Sequence, residues 1–309
     1  MDRPSGRSSS EPFVGFNWTF GKGWGVVAKA QGREFGRVPV HPAIGIATTV
    51  VAVSVALLSW ASPNGTHNHL PLTTPELIRQ QRQEEGFEPN STHVVVCGPA
   101  NSGKSSIINA LRGLRNRDNG AATTGTPGST THRTKYAGHA SFNSLQLHDC
   151  PGAGTLRTPA DGYYSNQRLY LYDLLLIVAG ERIGELEIQL MKTCIRSNQR
   201  FRILRSKSGM VVDQMTSDRG IDRGDAQNSI RDEQTNALAE ELRRADTANN
   251  VINELKALYI LVNNNDLRDL TVTNIEEWPE PHGRTEIDER QLLCVLGKRG
   301  ASDTTATSS

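Results

Sequence analysis

The main pattern of hydrophobic and polar positions is an alternation of short apolar runs with amphipathic stretches between residues 77 and 296. The continuous apolar runs at residues 94–96 and 174–179 predict strands that are buried on both faces. Residues 184–195 instead carry apolar side chains at helical spacing. Strands that alternate with helices indicate βαβ units, so the pattern predicts an α/β fold with a mainly parallel sheet and helices on both faces.

Further elements follow from the same patterns and from their flanking residues. Thr74, Pro75 and Glu76 provide an N-cap, a first-turn proline and an acidic first turn, which predict a helix that ends near Gly86. The other predicted elements are strands at residues 144–149, 201–204 and 258–262, helices at residues 228–245 and 287–296, and a surface loop at residues 218–225.

An uncharged apolar stretch, residues 43–61, lies outside this alternation. No charged residue occurs between Arg37 and Glu76. Its 19 residues, at a rise of 1.5 Å each, approach the roughly 30 Å thickness of the bilayer core. A buried globular helix would normally show a polar stripe, which is weak here. The stretch predicts a single transmembrane helix over residues 42–62, and a core helix or a cleaved signal segment are the alternatives.

Composition and charge narrow the classes of partner. The formal net charge of +1 leaves no basic surplus for a nucleic-acid backbone, and the aromatic content of 6% disfavours a stacking platform, so we expect no nucleic-acid partner. The four cysteines are far apart and lack metal-ligand spacing. We therefore expect reduced thiols rather than disulfides or a zinc site.

The strongest motif joins a strand to a glycine loop and the loop to a helix. Residues 98–105 read GPANSGKS and match G-x-x-x-x-G-K-S/T, the phosphate loop of P-loop NTPases. In such a loop backbone N–H groups turn toward one anion, the lysine reaches the β- and γ-phosphates, and the last hydroxyl binds Mg²⁺. The nucleotide ligands predicted here are Gly98, Asn101, Ser102, Gly103, Lys104, Ser105 and Ser106.

Two later segments complete the predicted metal site. Residues 115–132 are polar and rich in Gly and Thr, and in a nucleotide switch this interval carries a threonine that meets both Mg²⁺ and the γ-phosphate. Thr130 is the predicted residue, with Thr131 as the alternative. The strand that ends at Asp149, 45 residues after Lys104, supplies a carboxylate for Mg²⁺. Gly152, in the D-x-P-G sequence that follows, is predicted to give its N–H to the γ-phosphate.

Several motifs resemble those of the immunity-related GTPase family. They are GKSSIINALRG from Gly103, the stretch GAATTG at residues 120–125, DCPGAG from Asp149, YDLLLI from Tyr172, ILRSK from Ile203 and YILVNN from Tyr259. The resemblance implies a Ras-like G domain that binds GTP and GDP with Mg²⁺ at intracellular membranes. It also implies that Ser206 and Lys207 flank the guanine and that Asn263 lies near the base.

The resemblance is incomplete at the base and at the attacking water. The family reads guanine with N/T-K-x-D, but Gly209 replaces the aspartate here, and Asp213 lies four residues further on. Ala153 and Gly154 follow Gly152 where Ras-like switches place a glutamine, so no catalytic residue is assigned. The resemblance implies slow hydrolysis helped by self-association across the nucleotide face. The alternatives are a degenerate G domain acting as a nucleotide-bound interaction module, and an NTPase with relaxed base specificity that includes ATP.

The predicted organisation has five parts along the chain. They are a loosely structured arm at residues 1–41, the transmembrane helix at 42–62, a linker at 63–73, the G domain at 74–275, and a short helix with a tail at 276–309. Basic residues are more frequent before the apolar stretch than after it, which places the N-terminus in the cytosol by the positive-inside rule. On functional grounds we instead expect a single-pass membrane protein whose G domain lies in the cytosol.

Overall fold

The computed structural model describes most of the chain from residue 74 onward. The described residues are 19–20, 25–30, 33–39, 74–125, 130, 132–155, 158–244, 249–278 and 287–298. The chain divides into two compact units, residues 1–66 and 67–309. Each unit is described by itself below.

The first unit contains a three-stranded antiparallel sheet in the order β1-β2-β3. Its strands are β1 (Thr19–Phe20), β2 (Gly25–Ala30) and β3 (Arg33–Pro39). In the register of the sheet, Val26 of the middle strand is paired with Phe20 of β1 and with Val38 of β3. This sheet differs from the loosely structured arm expected for residues 1–41. β1 has only two residues, and charged residues interrupt the apolar ones in β2 and β3, so the sequence shows no regular alternation here.

The predicted transmembrane segment, residues 42–62, and the linker that follows it lie outside the described residues. None of the helices that the structure does describe is both long enough and apolar enough to cross a bilayer.

The second unit is built on a six-stranded sheet in the order β5-β6-β4-β7-β8-β9. All neighbouring strands are parallel except β5, which runs antiparallel to β6. The strands are β4 (Thr92–Cys97), β5 (Thr134–Ala137), β6 (Leu145–Asp149), β7 (Leu174–Ala179), β8 (Phe201–Arg205) and β9 (Tyr259–Leu261). The predicted mainly parallel α/β sheet is thus confirmed.

Helices connect these strands and cover both faces of the sheet. The described α-helices are α1 (Pro75–Glu84), α2 (Lys104–Leu111), α3 (Tyr163–Asn166), α4 (Glu185–Arg196), α5 (Ser208–Arg219), α6 (Arg223–Arg244), α7 (Asn249–Leu258), α8 (Asn264–Val272) and α9 (Glu289–Val295). Short 3₁₀ helices lie at Leu169–Leu171 and Ile275–Glu277. The sequence did not predict α5, and the loop expected at residues 218–225 is reduced to the few residues between α5 and α6.

Each face of the sheet has its own hydrophobic core. Val95 and Cys97 of β4 belong to one core, whereas Val94 and Val96 belong to the other, as the two-residue period of a strand requires. Helix α9 contributes the fully buried Leu292 and Leu293 to the second core. The compact unit therefore extends beyond residue 275, where the predicted G domain ended.

The four cysteines of the chain are free thiols, as expected from their spacing. Cys97, Cys150 and Cys194 are buried, whereas Cys294 on α9 is exposed. Burial raises the pKa of Cys150 and of Cys194 to about 12. The buried thiols are therefore protonated at neutral pH and chemically inert.

Candidate nucleotide-binding site

The predicted phosphate loop connects the carboxyl end of β4 to α2, and its two framing glycines are required by its shape. Gly98 has φ 134°, and a Cβ at this position would overlap the carbonyl oxygen of Val178. Gly103 has φ 95°, and a Cβ there would lie 3.2 Å from the side chain of Ser206. Both positions combine left-handed backbone with close neighbours, so only glycine fits without displacement. The loop therefore wraps tightly at the end of a central strand, where ligands bind in open α/β sheets.

Lys104 begins α2 and is buried beneath this loop. The residue is only 7% exposed, and its Nζ donates to the carbonyl oxygen of Pro99 at 2.6 Å. Burial lowers the pKa of Lys104, while the charge of Asp149 opposes this shift. A buried ammonium group enclosed by backbone is a favourable partner for an anionic phosphate, because its own desolvation is already complete.

The predicted metal ligands converge on one carboxylate. The hydroxyls of Ser105 and Thr130 both donate to Oδ2 of Asp149, at 2.6 Å and 3.3 Å. The other oxygen, Oδ1, is buried without a hydrogen-bond partner among the described residues. Burial raises the pKa of Asp149, and the hydrogen bond from Ser105 opposes the shift. Two hydroxyls and a carboxylate with an unpaired buried oxygen form the hard oxygen donor set that Mg²⁺ prefers. Thr131 lies outside the described residues.

The D-x-P-G segment after β6 packs directly on the phosphate loop. A Cβ on Gly152 would lie 2.6 Å from Cα of Ala100, so glycine is required for this close approach. The backbones also pair, because Ala100 N donates to Ala153 O at 3.1 Å and Ala153 N donates to Gly98 O at 3.1 Å. Gly152 is therefore placed beside the loop, as the γ-phosphate assignment requires.

On the base side, the loop between β8 and α5 lies against the phosphate loop. The Ser206 hydroxyl donates to the carbonyl oxygen of Ser102 at 2.6 Å, and the hydroxyl of Ser102 is buried without a partner among the described residues. Lys207 has φ 57° and is exposed. The Asn263 amide packs against Gly209, since a Cβ on Gly209 would lie 2.6 Å from Asn263 Nδ2.

A cavity of about 600 Å³ lies next to these residues, between α2 and α8. Its size fits the base and ribose of a nucleotide, given that ligand pockets typically measure roughly 300–1,000 Å³. It is lined by Ser106, Ala110, Leu114, Arg115, Asn116, Arg117, Asn264, Asn265 and Arg268. Of the predicted nucleotide ligands, Ser106 lines this cavity.

Two supporting groups were not predicted from the sequence. Asn109 of α2 is fully buried, and its amide bonds both the N–H and the carbonyl of Ala122 and also the side chain of Asn116. It thus fixes the first half of the switch interval to the phosphate-loop helix. Glu289 of α9 is also fully buried and accepts the Asn263 N–H at 2.6 Å. An asparagine between the apolar residues of a helix is the sequence signal that could have indicated Asn109. Nothing near Glu289 in the sequence indicates its partner.

The strand order, the glycine loop, the buried lysine and the Ser105–Asp149 pair together define a P-loop nucleotide-binding domain of the GTPase type. A family model described as interferon-inducible GTPase matches residues 78–253, more than half of the chain. The chain therefore belongs to the interferon-inducible GTPase family, which confirms the resemblance to immunity-related GTPases.

Curated relatives show the same similarity over part of the chain. Interferon-inducible GTPase 5 of Rattus norvegicus is 38% identical over 39% of this chain and 26% of its own length. The T-cell-specific guanine nucleotide triphosphate-binding protein 2 of Mus musculus is 30% identical over 50% of this chain and 38% of its own length. This chain thus aligns with less than two-fifths of either relative.

Among solved structures, the bacterial dynamin GTPase LeoA matches 72% of this chain and 38% of its own chain, with 14% identity and a TM-score of 0.41. A probable GTP-binding protein described as engB matches 57% of this chain and 90% of its own chain, with 13% identity and a TM-score of 0.35.

Proposed function

We propose that this chain is a membrane-associated GTP-binding protein that uses Mg²⁺ and hydrolyses GTP slowly, with help from self-association across the nucleotide face. Family membership supports GTP binding. The single observation that carries the metal assignment is the convergence of Ser105 and Thr130 on Asp149 beside the buried Lys104.

Each residue of the site has a defined role in this proposal. Lys104 stabilises the β- and γ-phosphates, and the loop N–H groups orient them. Ser105, Thr130 and Asp149 would hold Mg²⁺, which would supply positive charge next to the phosphate oxygens. Gly152 gives its N–H to the γ-phosphate, so that segment responds to the presence of this group.

The slow rate follows from the residues beside the γ-phosphate position. Ala153 has no polar side chain, and its N–H and carbonyl both pair with the phosphate loop. No side chain at Ala153 or Gly154 can orient an attacking water in the manner of a glutamine. Orientation of the attacking water is therefore expected to depend on side chains of a second copy of the chain.

The membrane part of the proposal depends on residues 42–62, which are long and apolar enough for one span. The G domain is placed in the cytosol, because GTP is available there. The apolar segment ends 36 residues before the phosphate loop begins at Gly98, so membrane attachment and nucleotide binding use different segments of the chain.

A degenerate G domain that works as a nucleotide-bound interaction module is the second candidate. It is favoured by Gly209 in place of the guanine-reading carboxylate and by Ala153 and Gly154 at the water-positioning site. This candidate predicts binding without turnover. The NTPase alternative predicts that ATP competes with GTP.

Equilibrium binding of labelled GTP to the full chain in Mg²⁺ tests the proposal. Lys104→Ala is expected to weaken binding at least 100-fold, because it removes the buried ammonium group that contacts the phosphates. Lys192→Ala, in the second half of α4, is the matched control. This variant should bind GTP as the wild type does. Equal affinity in wild type and Lys104→Ala would refute the nucleotide site.

Turnover distinguishes the first candidate from the second. GTP hydrolysis per molecule that rises with protein concentration supports self-assisted catalysis, and Asp149→Asn should abolish it. Tight binding without hydrolysis at any concentration would favour the interaction module. Unlabelled ATP that displaces GTP as well as GTP itself does would favour the NTPase.

A further inference from the structure

The orientation of one amide determines what the base side of the pocket can recognise. Asn263 is the N-cap of α8, and its Oδ1 accepts the backbone N–H of Asn265 at 3.0 Å. This bond identifies the oxygen of the amide, so Nδ2 is the atom directed at Gly209. The distance of 2.6 Å from Nδ2 to a Cβ built on Gly209 shows that the amide fills the space of a side chain at that position.

Guanine presents the wrong kind of group to this nitrogen. Its N1–H and its exocyclic 2-amino group are both hydrogen-bond donors, so a protein reads them with an acceptor, ideally a carboxylate. Gly209 has no side chain, and the Asn263 amide offers another donor in the same place. Two donors that face each other form no hydrogen bond, so this position provides no selectivity for the amino group.

Two neighbouring carboxylates, those of Asp213 and Glu289, do not restore the missing acceptor. Asp213 lies one helical turn further along α5, and its carboxylate forms an ion pair with Arg223. Glu289 accepts the backbone N–H of Asn263 and that of Ile287, so its oxygens are used inside the protein. Within the cavity, Asn264 Oδ1 is a buried acceptor without a hydrogen-bond partner among the described residues, and it is therefore included in the test.

We propose that this site binds GTP without reading the 2-amino group of guanine, because the Nδ2 atom of Asn263 occupies the position of the acceptor. The inference rests on the nucleotide binding proposed above and specifies its base selectivity. Inosine triphosphate differs from GTP only in lacking that amino group. A site that hydrogen-bonds a polar group rejects the analogue lacking it by roughly 10⁴–10⁵-fold, whereas a site that does not read the group treats the two alike.

Competition between GTP and ITP for labelled GTP on the full chain in Mg²⁺ tests this proposal. The wild type is expected to bind the two with affinities that differ less than tenfold. Gly209→Asp alone should gain no GTP preference, because the new side chain collides with the Asn263 amide. Gly209→Asp combined with Asn263→Ala frees the space for a carboxylate, and this double variant should prefer GTP over ITP by at least tenfold.

A tenfold or larger preference for GTP in the wild type would overturn the proposal, whether or not the variants fold. If Asn264→Ala then removed that preference, Asn264 would be the group that reads the amino substituent. Failure of the wild type to bind either nucleotide would instead refute the proposed function itself. The two failures are therefore distinguishable in one titration.

Discussion

Gly98 is the residue at which the phosphate loop tolerates least change. Its φ of 134° and the carbonyl of Val178 behind it leave no room for a methyl group. We predict that Gly98→Ala lowers the free energy of unfolding by about 3 kcal/mol, because it adds backbone strain to a steric overlap. Urea unfolding followed by circular dichroism measures the change.

Gly180 provides the matched control for this substitution. It follows the neighbouring strand β7, has no left-handed backbone, and has open space where a Cβ would be. Gly180→Ala should therefore alter the free energy of unfolding by less than about 0.5 kcal/mol. Equal effects of the two substitutions would contradict the steric account of Gly98.

At this scale the sequence predicted the residues that belong to local motifs. Lys104 and Ser105 are recognised from their spacing, and the pairing of Ser105 with Asp149 follows from two parallel strands that end at the same edge. That the Asn263 amide fills the side-chain space at Gly209 could not be predicted, because it depends on how β8 and β9 pair and on the side-chain rotamer of Asn263. No pattern within either segment carries that information.

Among the elements, α9 connects the end of the chain to the base side of the site. Asp288, just before α9, accepts the backbone N–H of Leu261 at 2.8 Å and binds Arg231 of α6 through both carboxylate oxygens. Glu289 accepts the N–H of Asn263. Two adjacent carboxylates at the start of α9 thus hold the backbone at the end of β9 and just after it.

Glu289 makes the stability of this arrangement depend on pH. Burial raises the pKa of Glu289 from 4.5 to about 7, despite hydrogen bonds from backbone N–H groups that lower it. Between these two values the folded chain holds a proton that the unfolded chain releases. The free energy of unfolding therefore falls as pH rises through this interval and is level above it.

We predict that Glu289→Gln removes this dependence. The difference in free energy of unfolding between wild type and variant should change by roughly 2 kcal/mol between pH 5 and pH 8, with the wild type losing stability relative to the variant. Urea unfolding at several pH values measures it. A pH-independent difference for Glu289→Gln would show that this carboxyl does not titrate between pH 5 and pH 8.

Elements were predicted correctly where the apolar residues form a continuous run or a regular period, and were missed where they form neither. The strands β4 and β7 are buried on both faces and are obvious as apolar runs. Helix α5 was not predicted, because its apolar residues have no helical period and its start contains Ser208 and Gly209. Its position is set by the strands it connects and by the end of the helix at Gly220, not by local propensity.

At the scale of the whole molecule, the proposed membrane anchor and the nucleotide site belong to different parts of the chain. We predict that deletion of residues 42–62 releases the protein from membranes and leaves GTP binding unchanged, because the phosphate loop lies in the second compact unit. Carbonate-washed membrane fractions from expressing cells provide the measurement. Deletion of residues 301–309 is the control and should leave the protein with membranes.

Retention of the 42–62 deletion in the washed membranes would show that another part of the chain provides the attachment. Loss of GTP binding in the same variant would show that the two units depend on each other. Whole-molecule organisation was the least predictable level from the sequence, since the sheet of the first unit and the inclusion of α9 in the second core both rest on pairings between short segments.

The burial of three of the four thiols gives the protein a selective chemical handle. A maleimide fluorophore added to the folded protein is directed to Cys294, since Cys97, Cys150 and Cys194 are enclosed. Cys294 lies on the same short helix as Glu289, which holds the backbone of Asn263. A dye at this single site would convert any movement of the base-side loop into a spectroscopic signal, without the need to remove native cysteines.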